Sequence, residues 1–490
     1  MQTDKIQQFF VRYQQVWKVL AVIVAAIPLV VCFVAQPIFC DTAYYLSVGQ
    51  RLAEGYRLYS DVRVGYPPLW FYLVASLKLI FSIPDGCYWP YLLLYYLFYL
   101  ATGLILYRIA LLFTQRRSVA FFVAWLFFPF AYWQFAYGVL LEMPSVLFGL
   151  LSCYLVLTFQ NKSHWHYLWI GAIAAASFLV KQYGAGFLLL DIYLILFMGD
   201  RNWKAICFLL AGYLLPILLC FAIWQQDFLC LFLNGYGTTS AEEAGRDTSL
   251  QSKLGDIFDG WWRFCGDACP AAIAGLLIFK NSKQQNRLTY FLFALCGILG
   301  FSLQFYFNIE RHYRIYLVPF ACLLIAEMLV TKTRPWLTTI KYLAILWTVG
   351  ASLYNTYRLL DFTHDNCTPS EIRAISAQVK QYVPKNAVLW PAQGAYYPLT
   401  FTTPTLMPNL STNGYSFGPL GLNPAEAMEQ AKSAEWVVYD PDLLHQSFYY
   451  LTDSLDAYVK QFPSVPLCET KGVRLYRMEK EAVIEPLESY

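Results

Sequence analysis

Charge is what this sequence has least of. Only 14% of its 490 residues are Asp, Glu, Lys or Arg, while 58% are hydrophobic. Soluble globular domains carry about a quarter of their residues as charges, so that class is excluded and the chain reads as a membrane protein. No P-loop, no GxGxxG fingerprint, no zinc-protease motif, no CxxC pair and no zinc-ligand spacing occurs, which leaves nucleotide, dinucleotide and zinc chemistry without sequence support. Nor is there an internal repeat at a solenoid period, or a correspondence between the two halves of the hydrophobic region of the kind many secondary transporters show. The 13 cysteines lie mostly in apolar stretches, where a thiol behaves as a small buried hydrophobe. Two pairs, Cys265 with Cys269 and Cys367 with Cys468, stand as candidate bridges.

What is present divides into two compositions. Apolar blocks recur from Trp17 to about Tyr357, with an excess of Lys and Arg between them, and residues 361–490 then hold 15 acidic and 9 basic residues with only short apolar runs. The net charge of +3 therefore averages a basic hydrophobic part and an acidic tail. The first block, Trp17–Ala35, lacks a small-residue cleavage site and is longer than a signal-peptide core, so it is expected to stay as an uncleaved span. Lys5, Arg12 and Lys18 accompany its start, which places the N-terminus in the cytoplasm by the positive-inside rule.

The same rule decides the status of Pro67–Ile83. If that segment crossed the bilayer, Arg108, Arg116, Arg117, Lys162, Arg201, Lys204, Lys280, Lys283, Arg287, Lys332, Arg334 and Lys341 would all lie outside. If it lies in the outer interface, all of them join the N-terminal three inside, and the usual bias is restored. The segment opens with two prolines and carries Lys78 mid-run, as suits an interfacial helix. The remaining spans are then expected at 90–112, 119–137, 144–159, 165–180, 183–199, 203–224, 268–279, 288–307, 313–330 and 336–357, eleven with the first. An odd number puts residues 361–490 outside as a small α/β domain. That domain is expected to hold a helix at Ser370–Tyr382 capped by Ser370, strands at Ala387–Trp390 and Trp436–Tyr439, a helix at Ser447–Phe462 and a closing hairpin ending at Val473–Tyr476.

With sidedness assigned, Asp41, Glu142, Lys181, Arg311, His312 and Arg314 share the outer face, each at or beside the end of a span. Carboxylates facing cations at one interface suit group transfer, one taking a proton from an acceptor hydroxyl while cations stabilise a departing phosphate. The plainer alternatives are that a carboxylate at a span end marks where lipid stops, and that Arg311 and Arg314 anchor lipid headgroups. Tyr44, Tyr45 and Tyr66 read, from composition, as an aromatic belt. Asp191 and Glu327 fall inside spans, where hydrogen bonding within the bundle is the default. His164 and His166 fall on the cytoplasmic side.

The opening stretch resembles the GT-C superfamily of polytopic glycosyltransferases, in the branch that contains protein O-mannosyltransferases and the bacterial aminoarabinose transferases that modify lipid A. The resemblance rests on Asp41 after the first span, an amphipathic helix at Leu46–Gly55, the Tyr59-Ser60-Asp61 element and Pro67-Pro68-Leu69. It extends to Glu142 before Pro144, to the Lys of "LVKQYG", to "ERHYRIYLVPF" and to the outward tail. Thr42 stands where many members of the branch carry Glu, which leaves Asp41 as the candidate base of the first loop. The resemblance implies transfer of a sugar from a polyprenyl-phosphate carrier to an acceptor on the outer face, with inversion. It implies catalytic roles for Asp41 and Glu142, phosphate contacts from Lys181, Arg311, Arg314 and Arg63, and substrate contacts from Tyr44, Tyr66 and His312. No metal is required once cations neutralise the phosphate; relatives that use a pyrophosphate carrier employ one, and Asp41 with Glu142 would be its ligands. The expected partners are the lipid-linked sugar, a lipid, glycan or protein acceptor and the bilayer itself, and the expected location is a bacterial cytoplasmic membrane. Two other classes stay open, a transporter or lipid flippase and a non-catalytic subunit of an envelope assembly.

Overall fold

Apolar helices account for most of the described residues. The structure, a computed structural model, describes residues 12, 14–35, 40–62, 64–84, 86–136, 138–159, 163–198, 202–236, 249, 251–252, 254–255, 285–303, 311–330, 335–365, 369–384, 387–391, 424–439, 453–467, 473–479 and 484–486. By backbone contacts it forms two units. One comprises Met1–Val34, Leu92–Leu219 and Ser249–His364, the other Ala35–Tyr91, Cys220–Thr248 and Asp365–Tyr490.

In chain order the hydrophobic part runs α1 (Gln14–Ala35), α2 (Cys40–Ala53), α3 (Leu69–Phe81), α4 (Trp89–Thr114), α5 (Arg117–Phe130), the short α6 (Tyr132–Ala136), α7 (Glu142–Thr158), α8 (Trp165–Val180), a 3-10 turn (Gln182–Ala185) and α9 (Gly186–Met198). It continues with α10 (Trp203–Tyr236), α11 (Gln285–Ser302), a second 3-10 segment (Arg311–Tyr316), α12 (Val318–Val330) and α13 (Pro335–Asp365). Two stretches, Trp89–Thr114 and Trp203–Leu229, are long and apolar enough to cross a membrane by themselves, and shorter apolar helices include Leu69–Phe81, Glu142–Thr158 and Trp165–Val180. Leu214, Leu215, Leu218 and Leu219 of α10 and Leu343, Leu346, Trp347 and Leu353 of α13 are exposed. Apolar stripes of this extent are faces built to be covered, as the acyl chains of a bilayer would cover them.

The helices coincide with the expected segments except at breaks that periodicity does not reveal. The segment expected at 119–137 is two helices, interrupted at Ala131 two residues after Pro129. The segment expected at 203–224 runs on to Tyr236 through a non-helical Gln225 (φ 48°, ψ −122°). The segment expected at 268–279 and both candidate cysteine bridges lie outside the described residues. The amphipathic helix of the first loop begins six residues earlier than expected, at Cys40, so Asp41 is its second residue.

Close helix packing in the first unit uses small residues. Gly171 of α8 meets the Leu209 carbonyl and Gly212 of α10 meets the Leu168 carbonyl so tightly that a Cβ at either place would stand 2.1 or 1.9 Å from the oxygen. Such backbone approach gives α8 and α10 the van der Waals contact that lipid, as apolar as Leu, does not supply by exclusion. Around α9, Phe187, Phe301, Tyr316 and Phe320 interlock, with Phe301 stacked on Tyr316 at 5.2 Å and on Phe320 at 5.8 Å between ring centroids.

In the second unit, α3 buries Trp70, Phe71, Val74 and Ala75 and packs on α2. Its opposite face leaves Tyr72, Leu79, Ile80 and Phe81 exposed. Residues 365–490 contribute α14 (Pro369–Tyr382), β1 (Leu389–Pro391), α15 (Pro424–Ser433), β2 (Trp436–Tyr439), α16 (Asp453–Val459), β3 (Ser464–Pro466) and β4 (Arg474–Arg477). The sheet order is β1-β2-β4-β3, with β1 parallel to β2 and the other pairs antiparallel. The alternation of a strand explains why "WVVY" is apolar throughout. Trp436 and Val438 face a core shared with Ile375 and Val379 of α14, while Val437 and Tyr439 face a second core with Ala431 and Val459. The helix α15 was not expected, and α14 starts at Pro369, so Ser370 is inside the helix rather than its cap. Pro suits a first helical position, where the missing N–H has no acceptor anyway.

Candidate active site

Two helix ends meet inside the first unit. Glu142 is the first residue of α7, and Lys181 directly follows the last residue of α8 in an extended conformation (φ −149°, ψ 134°). A carboxylate at a helix N-terminus and an ammonium at a helix C-terminus are each favoured by the partial charge of the unsatisfied peptide groups there. The chain therefore sets opposite charges at the two ends that suit them, and Lys181 Nζ stands 2.9 Å from Glu142 Oε1 with both side chains almost fully buried, at 1% and 0% exposed. The register that makes them meet is held one turn deeper. Ser145 Oγ donates to the Ser177 carbonyl at 3.0 Å and Ser177 Oγ donates to the Ser145 carbonyl at 2.7 Å, a reciprocal clasp between α7 and α8.

The turn after Lys181 completes the frame. Gly184 N–H donates to the Lys181 carbonyl at 2.9 Å, and a Cβ at Gly184 would lie 2.4 Å from atoms of Ser177, so the "KQYG" turn closes onto α8 only with glycine there. The Lys181 ammonium also sits over the Tyr313 ring, 4.9 Å from its centroid, and Tyr183 meets Tyr313 edge-on at 5.0 Å. Carboxylate on one side and aromatic face on another hold a buried cation that lipid or protein alone would not tolerate. Sequence reasoning missed Tyr183, Tyr313, Ser145 and Ser177. The signal for the tyrosines was their place in "LVKQYG" and "ERHYRIY"; the two serines stood out only as hydroxyls in apolar text.

Residues 65–305 match the family model for Glycosyltransferase family 87. Along nearly its whole length the chain also shares the fold of ArnT from Cupriavidus metallidurans bound to undecaprenyl phosphate, with a TM-score of 0.61 at 14% identity over 95% of this chain and 98% of that one. The archaeal oligosaccharyltransferase AglB from Archaeoglobus fulgidus, in complex with an inhibitory peptide and a dolichol-phosphate, gives a TM-score of 0.56 at 10% identity over 98% of this chain and 76% of that one. The chain thus has the fold of these GT-C membrane glycosyltransferases, and its family match covers just under half of its length. No curated protein matches its sequence. The stretch that matches the family model contains Glu142 and Lys181, begins after Asp41 and ends before Arg311.

The other site residues expected of a GT-C chain are distributed as follows. Arg314 lies half-buried on the 3-10 segment Arg311–Tyr316, which packs on α7 and α12. The side chains of Asp41, Arg311 and His312, and the whole of Arg63, lie outside the described residues. In the second unit Tyr44 is fully buried on α2, tilted against Tyr45 at 5.6 Å, and Tyr66 meets Tyr45 edge-on at 5.4 Å. The Tyr59-Ser60-Asp61 element is a turn: Tyr59 takes a left-handed conformation (φ 69°), its hydroxyl donates to the Tyr66 carbonyl at 2.9 Å, and Asp61 accepts the Arg57 amide at 2.8 Å. Arg57's amide and guanidinium hold the Asp61 carboxyl below the usual carboxylate range.

The GT-C relatives that employ a metal prompt a test of fit. The Glu142 carboxylate already faces an ammonium at 2.9 Å, and a divalent ion on the same oxygens would be pressed against that like charge. Glu142 in this arrangement does not fit a metal site. The aromatic face on Lys181 leads to a measurable expectation. Tyr313→Phe keeps the ring and stability close to wild type, whereas Tyr313→Leu lowers stability by about 2 kcal/mol, the value of a desolvated cation–π contact. Denaturant unfolding of the detergent-solubilised protein measures both.

Proposed function

We propose that the protein transfers a sugar from a polyprenyl-phosphate carrier to a hydroxyl acceptor at the extracytoplasmic face of the membrane, with inversion at the anomeric carbon. In the reaction Asp41 takes the proton from the acceptor hydroxyl. The acceptor oxygen attacks the anomeric carbon, the bond from that carbon to the phosphate oxygen breaks, and its electron pair leaves with the lipid phosphate. Arg314, with Arg311 and Arg63, offsets the charge that grows on the phosphate. Lys181 adds its field from the buried pair, and Glu142 acts through Lys181, keeping it charged in apolar surroundings. Tyr44, Tyr66 and His312 remain the substrate-contact candidates. The donor's tail stays in lipid while its phosphate reaches the interface, so the chemistry suits a protein whose apolar helices and polar ends meet at that depth.

The observation that most supports this reading is the fold shared over 95% of the chain with ArnT, whose structure holds undecaprenyl phosphate. The test is incubation of the purified protein with a polyprenyl-phosphate sugar labelled in the sugar ring, with lipid and glycan acceptors supplied. The expected result is label on an acceptor and release of unglycosylated polyprenyl phosphate. Movement of intact donor across a vesicle membrane without cleavage of the sugar–phosphate bond would make the protein a transporter and remove the reading.

A further inference from the structure

Asp191 sits in the middle of α9 and is the only ionisable side chain among the aspartates, glutamates, lysines, arginines and histidines of that helix. It is fully buried. Neither of its carboxyl oxygens has a hydrogen bond of good geometry, and among the described residues no basic side chain pairs with it. Ser152 and Cys153 of α7 lie against it. The helices and turn packed most closely on α9 are α7, α8, α11 and the 3-10 turn, and among their described side chains none offers a counter-charge at this depth. On α7 the other acid is Glu142, eleven residues before Cys153, about 16 Å away at the rise of a helix, and it is engaged by Lys181. On α8 the ionisable residues are His166 and Tyr167 near its start. On α11 they are Arg287 near its first turn, Tyr290 and Cys296, and the 3-10 turn adds Tyr183.

Hydrogen-bond accounting then decides the state of the acid. The Ser152 hydroxyl already donates its single proton to the Gly149 carbonyl at 2.8 Å, so toward Asp191 its oxygen can only accept. An ionised carboxylate has no proton to give and would have only the weak S–H donor of Cys153 against its charge, at a penalty of several kcal/mol in an apolar bundle. A carboxylic acid has the donor that Ser152 lacks. We propose that Asp191 is a proton-binding site inside the helix bundle: it is held as the neutral acid and donates to Ser152, tying α9 to α7, the helix whose first residue is Glu142. It is a positioning residue for Glu142 and Lys181. The protonation state stands independently of the proposed sugar transfer, and only its effect on catalysis rests on that reading.

The experiment compares the full-length protein with Asp191→Asn and Asp191→Ala in detergent at neutral pH. The infrared difference spectrum, wild type minus Asp191→Asn, is expected to contain the carbonyl stretch of a protonated carboxylic acid and no carboxylate bands. Carboxylate bands in its place overturn the proposal. A carboxamide keeps an N–H donor for Ser152, so Asp191→Asn is expected to fold with transfer within about twofold of wild type, whereas Asp191→Ala loses at least tenfold in kcat with little change in the KM for donor. Loss of transfer in Asp191→Asn equal to that in Asp191→Ala overturns the positioning role. Should the wild type show no transfer at all, the infrared result still decides the protonation state, so failure of the functional reading and failure of this one are told apart.

Discussion

Asp41→Asn is expected to lower the kcat for sugar transfer by about 10²- to 10⁴-fold, the range a positioned general base supplies, with the KM for the lipid-linked donor nearly unchanged. The substitution is almost isosteric and sits at the second residue of α2, where loss of a carboxylate from a helix N-terminus costs about 0.3–1 kcal/mol. The variant should therefore fold, and any loss of rate belongs to chemistry. Thr42 follows Asp41, so the adjacent position in the chain holds no acid to take over the proton. Single-turnover kinetics with the labelled donor, run beside a thermal unfolding curve, separates the two effects. Wild-type turnover in a folded Asp41→Asn protein would end the assignment of the base.

The largest effect on stability is expected at the buried ion pair. Lys181→Met strands the Glu142 carboxylate without its cation, and removing one member of a buried pair typically costs about 3–5 kcal/mol. Glu142→Gln, which strands the ammonium, should be of similar size, although the Tyr313 ring 4.9 Å from Lys181 Nζ still faces it and moderates the loss. The double variant Glu142→Gln with Lys181→Met leaves no stranded charge, so it should regain most of the lost stability and reveal a coupling energy well outside additivity. Urea unfolding of the four proteins in one detergent measures the cycle. Transfer by the double variant is the informative readout: it should remain depressed, because the field that Lys181 contributes is gone. Full activity there would reduce the pair to a strut between α7 and α8.

Much of the fold was legible because a bilayer imposes simple rules on a sequence. Long apolar text must be helical where backbone groups cannot find water, and the helices Trp89–Thr114 and Trp203–Leu229 follow from that alone. The tail was legible through short apolar runs such as "WVVY". The helix Pro424–Ser433 escaped notice because, among its described side chains, the packed ones are Met428 and the small Ala431, too little apolar mass to register as a period. Breaks were the other gap. A halt at Ala131 and the non-helical Gln225 depend on what packs nearby, and a hydropathy pattern runs through both.

For the site, the sequence by itself determined which residue types stand at which span ends: an acid opening α7, a lysine closing α8, an aspartate after the first span, and tyrosines and arginines in "ERHYRIY". Covalent order is enough for that, since a span must end where charge begins. Only the tertiary structure decided that Glu142 and Lys181 spend their charge on each other at 2.9 Å. That outcome depends on the antiparallel register of two helices, set by the Ser145–Ser177 clasp and by the space Gly184 leaves. It also made Tyr313, in sequence only one tyrosine of "ERHYRIY", the face that covers a buried ammonium. Electrostatic energy varies steeply with distance and burial, and neither is written in a one-dimensional order of residues.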